Sequence, residues 1–483
     1  MKKNVLFLFL LLLLLHIPFL SSDPDHEISF SRDAFTDEGL YASQVRNYLL
    51  TGDFNLNESD AAIKTPLYSL VILTAFKIGG IHLLTIRLMV LVISILMFLY
   101  VFRDDFILSL LMMGLTFFQF TVFHYTHLAL AEILAVACLT VGWYLLSKFK
   151  LNDFKFTHII FSCGIVALAM YLKFQYLFMM TWIPLFFVLV FCYSLFVNFQ
   201  KWKSNATAFI LIVAGTVVFL VIYYFIWYLP NRELFDFVIK SQTTVVFGEG
   251  EWFRKMIDFN IENFFMNSKT APFTWLFLVC VLIFPYILYK FRSQEKRVFQ
   301  FLAIFSWCLL ELHKPALAYL PGRYLVSTFF SMGLFSALML RSLYDLIPSN
   351  YIRVPLLVLA IGWPFYANII AYRNSYQNRS YLLAEANSFV EKYHTPGCYI
   401  AGPWAPSVAW LTSSPAVPVW KDYFNYENTM INFKPCIIVS ETGEEDSGNA
   451  WKSQNVDLAA LSDTTSDFKI RDWHARIYIL KSK

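Results

Sequence analysis

Long apolar runs govern what this chain can fold into. A helix that crosses a bilayer needs about 20 apolar residues, within roughly 17–25. Runs of that kind cover 4–22, 83–102, 106–123, 128–147, 156–172, 176–197, 206–229, 271–289, 324–340 and 354–372, and two shorter ones cover 66–80 and 298–312. Of the 483 residues, 58% are hydrophobic and only 15% charged, against about 25% charged in an ordinary soluble domain. A soluble fold of this length has too little polar surface to cover such a composition. The expected class is therefore an α-helical polytopic membrane protein.

The sides of the membrane follow from the basic residues, because short cytoplasmic loops are rich in Lys and Arg. The clusters are Lys148/Lys150/Lys155, Lys201/Lys203, Lys290/Arg292/Lys296/Arg297 and Arg341/Arg353. Neighbouring clusters are two runs apart if 298–312 crosses, so all four share one side. They share it with Lys2 and Lys3 only if 66–80 does not cross. The reading is therefore about eleven crossings, with 66–80 as a re-entrant or interfacial helix. The leucine-rich start resembles a signal peptide but lacks a small-x-small cleavage site, so it is read as an uncleaved first helix. A start of this kind suits a bacterial inner membrane, with the N-terminus cytoplasmic.

That topology puts 23–82, 124–127, the turn at Lys173, 230–270, 313–323 and everything after Tyr372 outside. Residues 1–372 form the expected membrane domain. Residues 373–483 are polar and mixed, with a helical pattern at 380–393 and strand-like runs at 398–401, 436–439 and 477–480. A small soluble α/β domain fits them. Five of the seven cysteines lie in apolar runs, where Cys behaves as a small hydrophobe. Cys398 and Cys436 lie in the tail and can pair if it faces an oxidising compartment.

Polar groups at membrane depth are costly and need a reason. Asp37 and Glu38 precede Gly39-Leu40-Tyr41 in the first outside segment, and Lys64 precedes Thr65-Pro66-Leu67-Tyr68. Glu132 stands one turn inside a run, Lys173 in a very short turn, and Arg323-Tyr324 at the start of another run. Plainer readings exist for each. Thr36 can cap a helix whose positive first turn suits Asp37 and Glu38. Lys173 and Arg323 can snorkel to the interface. His124 and His127, spaced i, i+3, suit a metal pair but equally suit two interfacial side chains. Arg87 reads as a structural partner near the outer interface.

Taken together, these residues suit sugar transfer from a polyprenyl phosphate. A carboxylate takes the acceptor's hydroxyl proton, and cations stabilise the departing phosphate. No GxGxxG or P-loop is present, and nucleic acid is not an expected partner. The alternative is a transporter or flippase of a lipid-linked glycan, since intramembrane carboxylates can relay protons. Such a protein is expected to have pseudo-symmetric halves with paired broken helices, and only one strong interruption is visible.

The sequence resembles the GT-C glycosyltransferases, in particular the protein-O-mannosyltransferase and aminoarabinose-transferase group. The likeness runs through Asp37-Glu38-Gly39-Leu40-Tyr41, Gly52-Asp53, Lys64-Thr65-Pro66-Leu67-Tyr68, Phe76-Lys77-Ile78-Gly79-Gly80 and Arg87. It implies Asp37 as catalytic base with Glu38 in support, and Glu132 as the second acidic position. It implies Lys64, Lys173, Arg323 and Tyr324 at the donor phosphate. It also implies an inverting single displacement onto a lipid, glycan or protein acceptor. Aminoarabinose transferases carry Arg where this chain has Leu40, which leaves the donor sugar open. No cofactor is firmly predicted, and a divalent metal stays open. The oligosaccharyltransferase branch uses a divalent metal, which Asp37, Glu132 and a histidine could hold here.

Overall fold

The computed structural model describes residues 3–28, 34–55, 61–149, 156–197, 202–247, 262–317, 320–443 and 445–481. Lys2, Lys150, Lys155 and Lys201, used above to assign sides, lie outside them. In chain order the principal helices are α1 (Lys3–His16), α2 (Ala34–Thr51), α3 (Pro66–Gly79), α4 (Leu83–Phe102), α5 (Phe106–Met112), α6 (Phe120–Thr126), α7 (Glu132–Leu146) and α8 (Phe156–Leu172). They continue as α9 (Trp182–Val197), α10 (Trp202–Tyr223), α11 (Arg232–Phe247), α12 (Ala271–Lys290), α13 (Glu295–Glu311), α14 (Val326–Leu346), α15 (Asn350–Gln377) and α16 (Leu382–Tyr393).

Six helical stretches among the described residues are long and apolar enough to cross a membrane: Leu83–Phe102, Phe174–Leu195, Phe209–Lys240, Ala271–Lys290, Gly322–Leu346 and Asn350–Tyr393. The run expected as one crossing at 106–123 is instead broken. Phe106–Phe117 and Phe120–Thr126 meet at 93°, and counting them as one span gives seven. Lys3–Phe19, Pro66–Gly79, Glu132–Leu146 and Thr157–Leu172 are apolar but shorter. The expected count of about eleven is thus not confirmed by helix length. The protein is a multi-pass membrane protein on the stretches that do qualify.

The chain divides into two compact units. The first comprises Met1–Ile17, Leu91–Thr126 and Ala131–Gln377, and the second Pro18–Val90, His127–Leu130 and Asn378–Lys483. In the first unit α14 is the central element, buried along nearly its whole length. A helix apolar on every face finds its place inside a bundle, and α5, α7, α12 and α13 pack around it. Small residues permit this. A Cβ on Gly333 would stand 2.3 Å from the Thr116 hydroxyl, so only glycine allows that approach.

The second unit holds a five-stranded mixed sheet of β1 (Tyr399–Ala401), β2 (Ala416–Val417), β3 (Pro435–Glu441), β4 (Ser462–Ile470) and β5 (Trp473–Leu480). Its order is β2-β1-β3-β5-β4, parallel on the β2-β1-β3 side and antiparallel on the other. Side chains alternate between faces. Ile400, Ile437, Val439, Ala475 and Ile477 enter one core with α16, while Ala401, Ile438 and Trp451 enter the other. Strands β1, β3 and β5 match the expected runs. Strand β4 was not expected, because Ser462-Asp463-Thr464-Thr465-Ser466-Asp467 is polar at the sheet edge. Cys398 and Cys436 form a disulfide with Cα atoms 5.7 Å apart, as their positions beside paired β1 and β3 allow.

The tail does not pack alone in this unit. Phe35 of α2 is fully buried in the same core as α16 and the sheet. Arg46, 1% exposed, donates to the carbonyls of Ser414, Ala409 and Thr412 at 2.7–2.8 Å. Asn47 exchanges two hydrogen bonds with the Ala416 backbone, at 2.9 and 3.0 Å. A Cβ on Gly39 would fall 2.6 Å from the Ser407 nitrogen, so α2 meets the 405–408 turn through a glycine. The acidic segment and the tail are therefore one structural body, where sequence suggested a loop and a separate domain.

Candidate active site

In the second unit, helix α2 carries the acidic pair. It already begins at Ala34, so Thr36 sits inside the helix and is buried there. This corrects its reading as the cap. Asp37 occupies the first turn, where the helix dipole favours a carboxylate, and is half-buried. Glu38 is fully buried. Arg87 grips it through two parallel bonds, Nε to Oε1 at 2.8 Å and Nη2 to Oε2 at 2.6 Å. The Ala129 N–H adds a third bond to Oε1 at 2.6 Å. Arg87 Nη1 donates further to the carbonyls of Leu20 and Ser22, at 3.0 and 2.8 Å. Such a fork is strong and directional. It fixes α2, and hence the Asp37 beside Glu38.

Lys64 ends a short helical turn, Ala61–Lys64, and is half-buried. Gln44 of α2 accepts from the Ala62 N–H at 3.2 Å, and Tyr41 meets Tyr68 edge-on at 6.2 Å. The acidic helix and the Lys64 segment are thus joined at two points that flank Lys64 in sequence. Helix α3 starts at Pro66, a residue suited to the first helical position. It ends at Gly80, whose N–H returns to the Phe76 carbonyl at 2.9 Å with φ of 82°. At 14 residues it spans about 21 Å, short of the roughly 30 Å core of a bilayer.

In the first unit, Glu132 is the first residue of α7 and is fully buried. Lys173 stands in extended backbone between α8 and the 3₁₀ helix Phe174–Thr181, which leads into α9. Its ammonium pairs with Glu132 Oε1, and both side chains are at most 5% exposed. Lys173 Nζ lies 5.9 Å from the Tyr324 ring. Arg323 lies 5.5 Å from the same ring. Glu132, Lys173 and the adjacent Arg323 and Tyr324, three positions far apart in sequence, therefore share one neighbourhood. A buried ion pair of this kind costs desolvation that its attraction hardly offsets, so its presence at depth calls for a use.

A second buried pair borders the first and escaped the reading of the sequence. Glu311 ends α13, and Lys314 lies three residues on, with Nζ 2.6 Å from Glu311 Oε2. Lys314 also donates to the Tyr324 carbonyl at 2.5 Å and to Ser327 Oγ at 2.7 Å. Glu311 accepts from Ser327 at 2.9 Å, Thr328 at 2.7 Å and Trp307 Nε1 at 3.1 Å. Ser327 and Thr328 belong to the positive first turn of α14, which suits the carboxylate facing it. Burial pulls the Lys314 ammonium below the ordinary lysine range, against the opposing fields of Glu311 and Glu132. A carboxylate at the end of an apolar run was the available signal, the same one that singles out Glu132.

The histidines have separate partners. His124 Nε2 lies 3.1 Å from Ser375 Oγ, and His127 stacks on Phe19 at 5.3 Å. Among the described residues no group of three or more His, Cys, Asp or Glu is placed to hold a metal ion.

No protein-family model matches this chain, and no curated protein matches it in sequence. Solved structures do. ArnT from Cupriavidus metallidurans, solved with undecaprenyl phosphate bound, is 13% identical with a TM-score of 0.59, covering 99% of this chain and 98% of that one. The oligosaccharyltransferase of Archaeoglobus fulgidus is 12% identical with a TM-score of 0.53, covering 91% and 70%. At such identity the likeness concerns the fold, and the fold of this chain is that of the GT-C glycosyltransferases.

Proposed function

We propose that this chain is a membrane glycosyltransferase that moves a sugar from a polyprenyl-phosphate donor to an acceptor hydroxyl on the non-cytoplasmic face. The observation that carries the reading is the end-to-end likeness to ArnT, a protein solved with undecaprenyl phosphate. In the step proposed, the acceptor oxygen attacks the anomeric carbon as Asp37 takes its proton. The bond from that carbon to the phosphate oxygen breaks, and its electron pair leaves with the phosphate. One displacement inverts the centre. Lys64, Lys173, Arg323 and Tyr324 are assigned to the charge that gathers on the phosphate.

Glu38 is assigned a positioning role, because its oxygens are engaged by Arg87 and Ala129. Glu132 holds Lys173 and is the second acidic residue of the scheme. The finer topology belongs to the same proposal: about eleven crossings in a bacterial inner membrane, N-terminus cytoplasmic, residues 373–483 outside. No metal-dependent step is included.

The test is Asp37→Asn in purified, folded protein, with transfer of labelled sugar from polyprenyl-phosphate donors as the measurement. Loss of a general base lowers turnover by about 10²–10⁴-fold, and that is the expected outcome. Unchanged turnover would remove Asp37 from the role. Movement of a lipid-linked glycan across vesicles without covalent product would favour the transporter reading instead.

A further inference from the structure

A cavity of about 440 Å³ lies within the second unit, and none of the residues assigned above to the reaction lines it. Ligand pockets commonly hold about 300–1,000 Å³. Its walls come from Ser22, the first turn of α4, Leu383 and Ala384 of α16, and Trp410 with Leu411. Helix α4 is one of the stretches long and apolar enough to cross a membrane, and it begins at Leu83. A cavity on its first turn therefore sits at the bilayer surface. Leu84 lines the cavity and is 44% exposed, and Leu88, one turn on along the same face, is 39% exposed. The cavity is thus continuous with apolar surface that the bilayer covers.

The chemistry of the wall narrows the occupant, because its buried polar groups are already spent on the protein. Arg87 gives its donors to Glu38 and to the carbonyls of Leu20 and Ser22. Asp23 accepts from Ser380 Oγ and from the Leu382 and Leu383 N–H groups, at 2.7–3.1 Å. The Asn387 amide bonds Leu383, Ser407 and Trp410. What remains is apolar: Leu83, Leu84, Leu383, Leu411 and the Trp410 ring. The Trp410 indole N–H has no acceptor among the described residues, and His82 lines the cavity where it is exposed to water. An acyl chain matches walls of this kind, and its ester carbonyl is an acceptor for an indole at a membrane surface. A polyprenyl phosphate carries no ester carbonyl, and the one buried cation of the wall, Arg87, is taken.

We infer that this cavity takes one acyl chain of a phospholipid from the surrounding bilayer, and that the chain props the acidic helix α2. The prop acts through Arg87. That residue forms part of the wall together with Leu20 and Ser22, whose carbonyls it bonds. Its other donors hold Glu38 of α2. A lipid chain packed on this wall steadies the fork, and α2 with it. The site stands whether or not the chain is a transferase, because no group assigned to the reaction lines it.

The experiment places the purified full chain in vesicles of phosphatidylethanolamine that carries a diazirine midway along one acyl chain. Illumination joins the acyl chain to what it touches, and mass spectrometry of the peptides locates the join. Labels are expected at Leu88, on the bilayer face of α4, and also at Leu383, Trp410 or Leu411, which belong to the polar tail. Ala384→Trp and Leu84→Trp, both at exposed positions, fill the cavity from two walls. Each should lose the tail labels and keep the label at Leu88, with melting temperature verifying that it folds. In detergent, adding the unlabelled lipid to delipidated wild type should slow amide exchange in α2, and should not do so in either variant. Tail labels that are absent from the wild type, or unchanged in both variants, overturn the site. Tail labels displaced by polyprenyl phosphate and not by unlabelled phosphatidylethanolamine give the cavity to a polyprenyl chain and overturn the phospholipid. Tail labels with unchanged exchange in α2 overturn the prop.

Discussion

Two buried Glu–Lys pairs lie side by side in the first unit and are built to opposite plans. Glu311–Lys314 is closed: Ser327, Thr328, Trp307 and the Tyr324 carbonyl take up what the pair does not use itself. Glu132–Lys173 is open: among the described residues Glu132 Oε2 has no hydrogen-bond partner. Buried polar networks stabilise and specify when fully satisfied, and are costly when partly satisfied. The closed pair therefore reads as frame, holding the start of α14 and the backbone of Tyr324. The open pair reads as working surface, whose cost is offset when a ligand completes it.

The largest expected effect falls on the open pair. Glu132→Gln should lower sugar transfer by about 10²–10³-fold, the range seen when an electrostatic contributor is removed from an active site, and should also cost about 3–5 kcal/mol of stability, because it takes away the carboxylate that the buried Lys173 pairs with. Transfer at wild-type rate would mean that Glu132 is also frame, and the contrast would fail.

Next comes the closed pair. Lys314→Met leaves Glu311 buried without its counter-ion, and loss of one member of such a pair costs about 3–5 kcal/mol. The double variant Glu311→Gln with Lys314→Met removes both charges and should recover much of that stability. Thermal unfolding of the wild type, the single and the double variant completes the cycle. If the single variant keeps its stability and loses only turnover, Lys314 belongs to the working surface.

The smallest effect is expected from an exposed pair in the sheet of the second unit. Asp467 and Arg476 face each other across β4 and β5 at 2.6 Å, with side chains 59% and 41% exposed. The hydrogen bonds from Arg476 hold the Asp467 carboxyl below its usual range. A depressed carboxylate contributes stability that is present above its unfolded pKa and lost as pH falls through the folded value. Loss should therefore occur only in acid, below about pH 4. Asp467→Asn at neutral pH should cost under about 1 kcal/mol. A larger loss in thermal unfolding would show that geometry, and not burial, separates the pairs.

Part of the buried charge in the first unit was legible in the chain. Glu132 and Lys173 were marked by the cost of charge at membrane depth, and the structure pairs them. Glu311 and Lys314 carry the same mark but were passed over, because a short run ending in Glu-Leu-His-Lys reads as an ordinary helix end. Gln175 and Tyr176 carry no mark at all. Polar uncharged side chains in an apolar stretch become notable only when folding sets them beside buried charges, as Tyr176 stands beside Glu132 and Glu311.

The fold divides the same way. Apolar run length determined that the chain is a membrane protein, since hydrophobicity is summed locally along the sequence. Short continuous apolar runs located β1, β3 and β5, because a strand covered on both faces is apolar at consecutive positions. The 93° break between α5 and α6 and the merging of α2 with the tail were decided by tertiary structure. So was the difference between an open and a closed ion pair. Each depends on which distant residues fill the remaining hydrogen bonds and volume, and no local pattern records that.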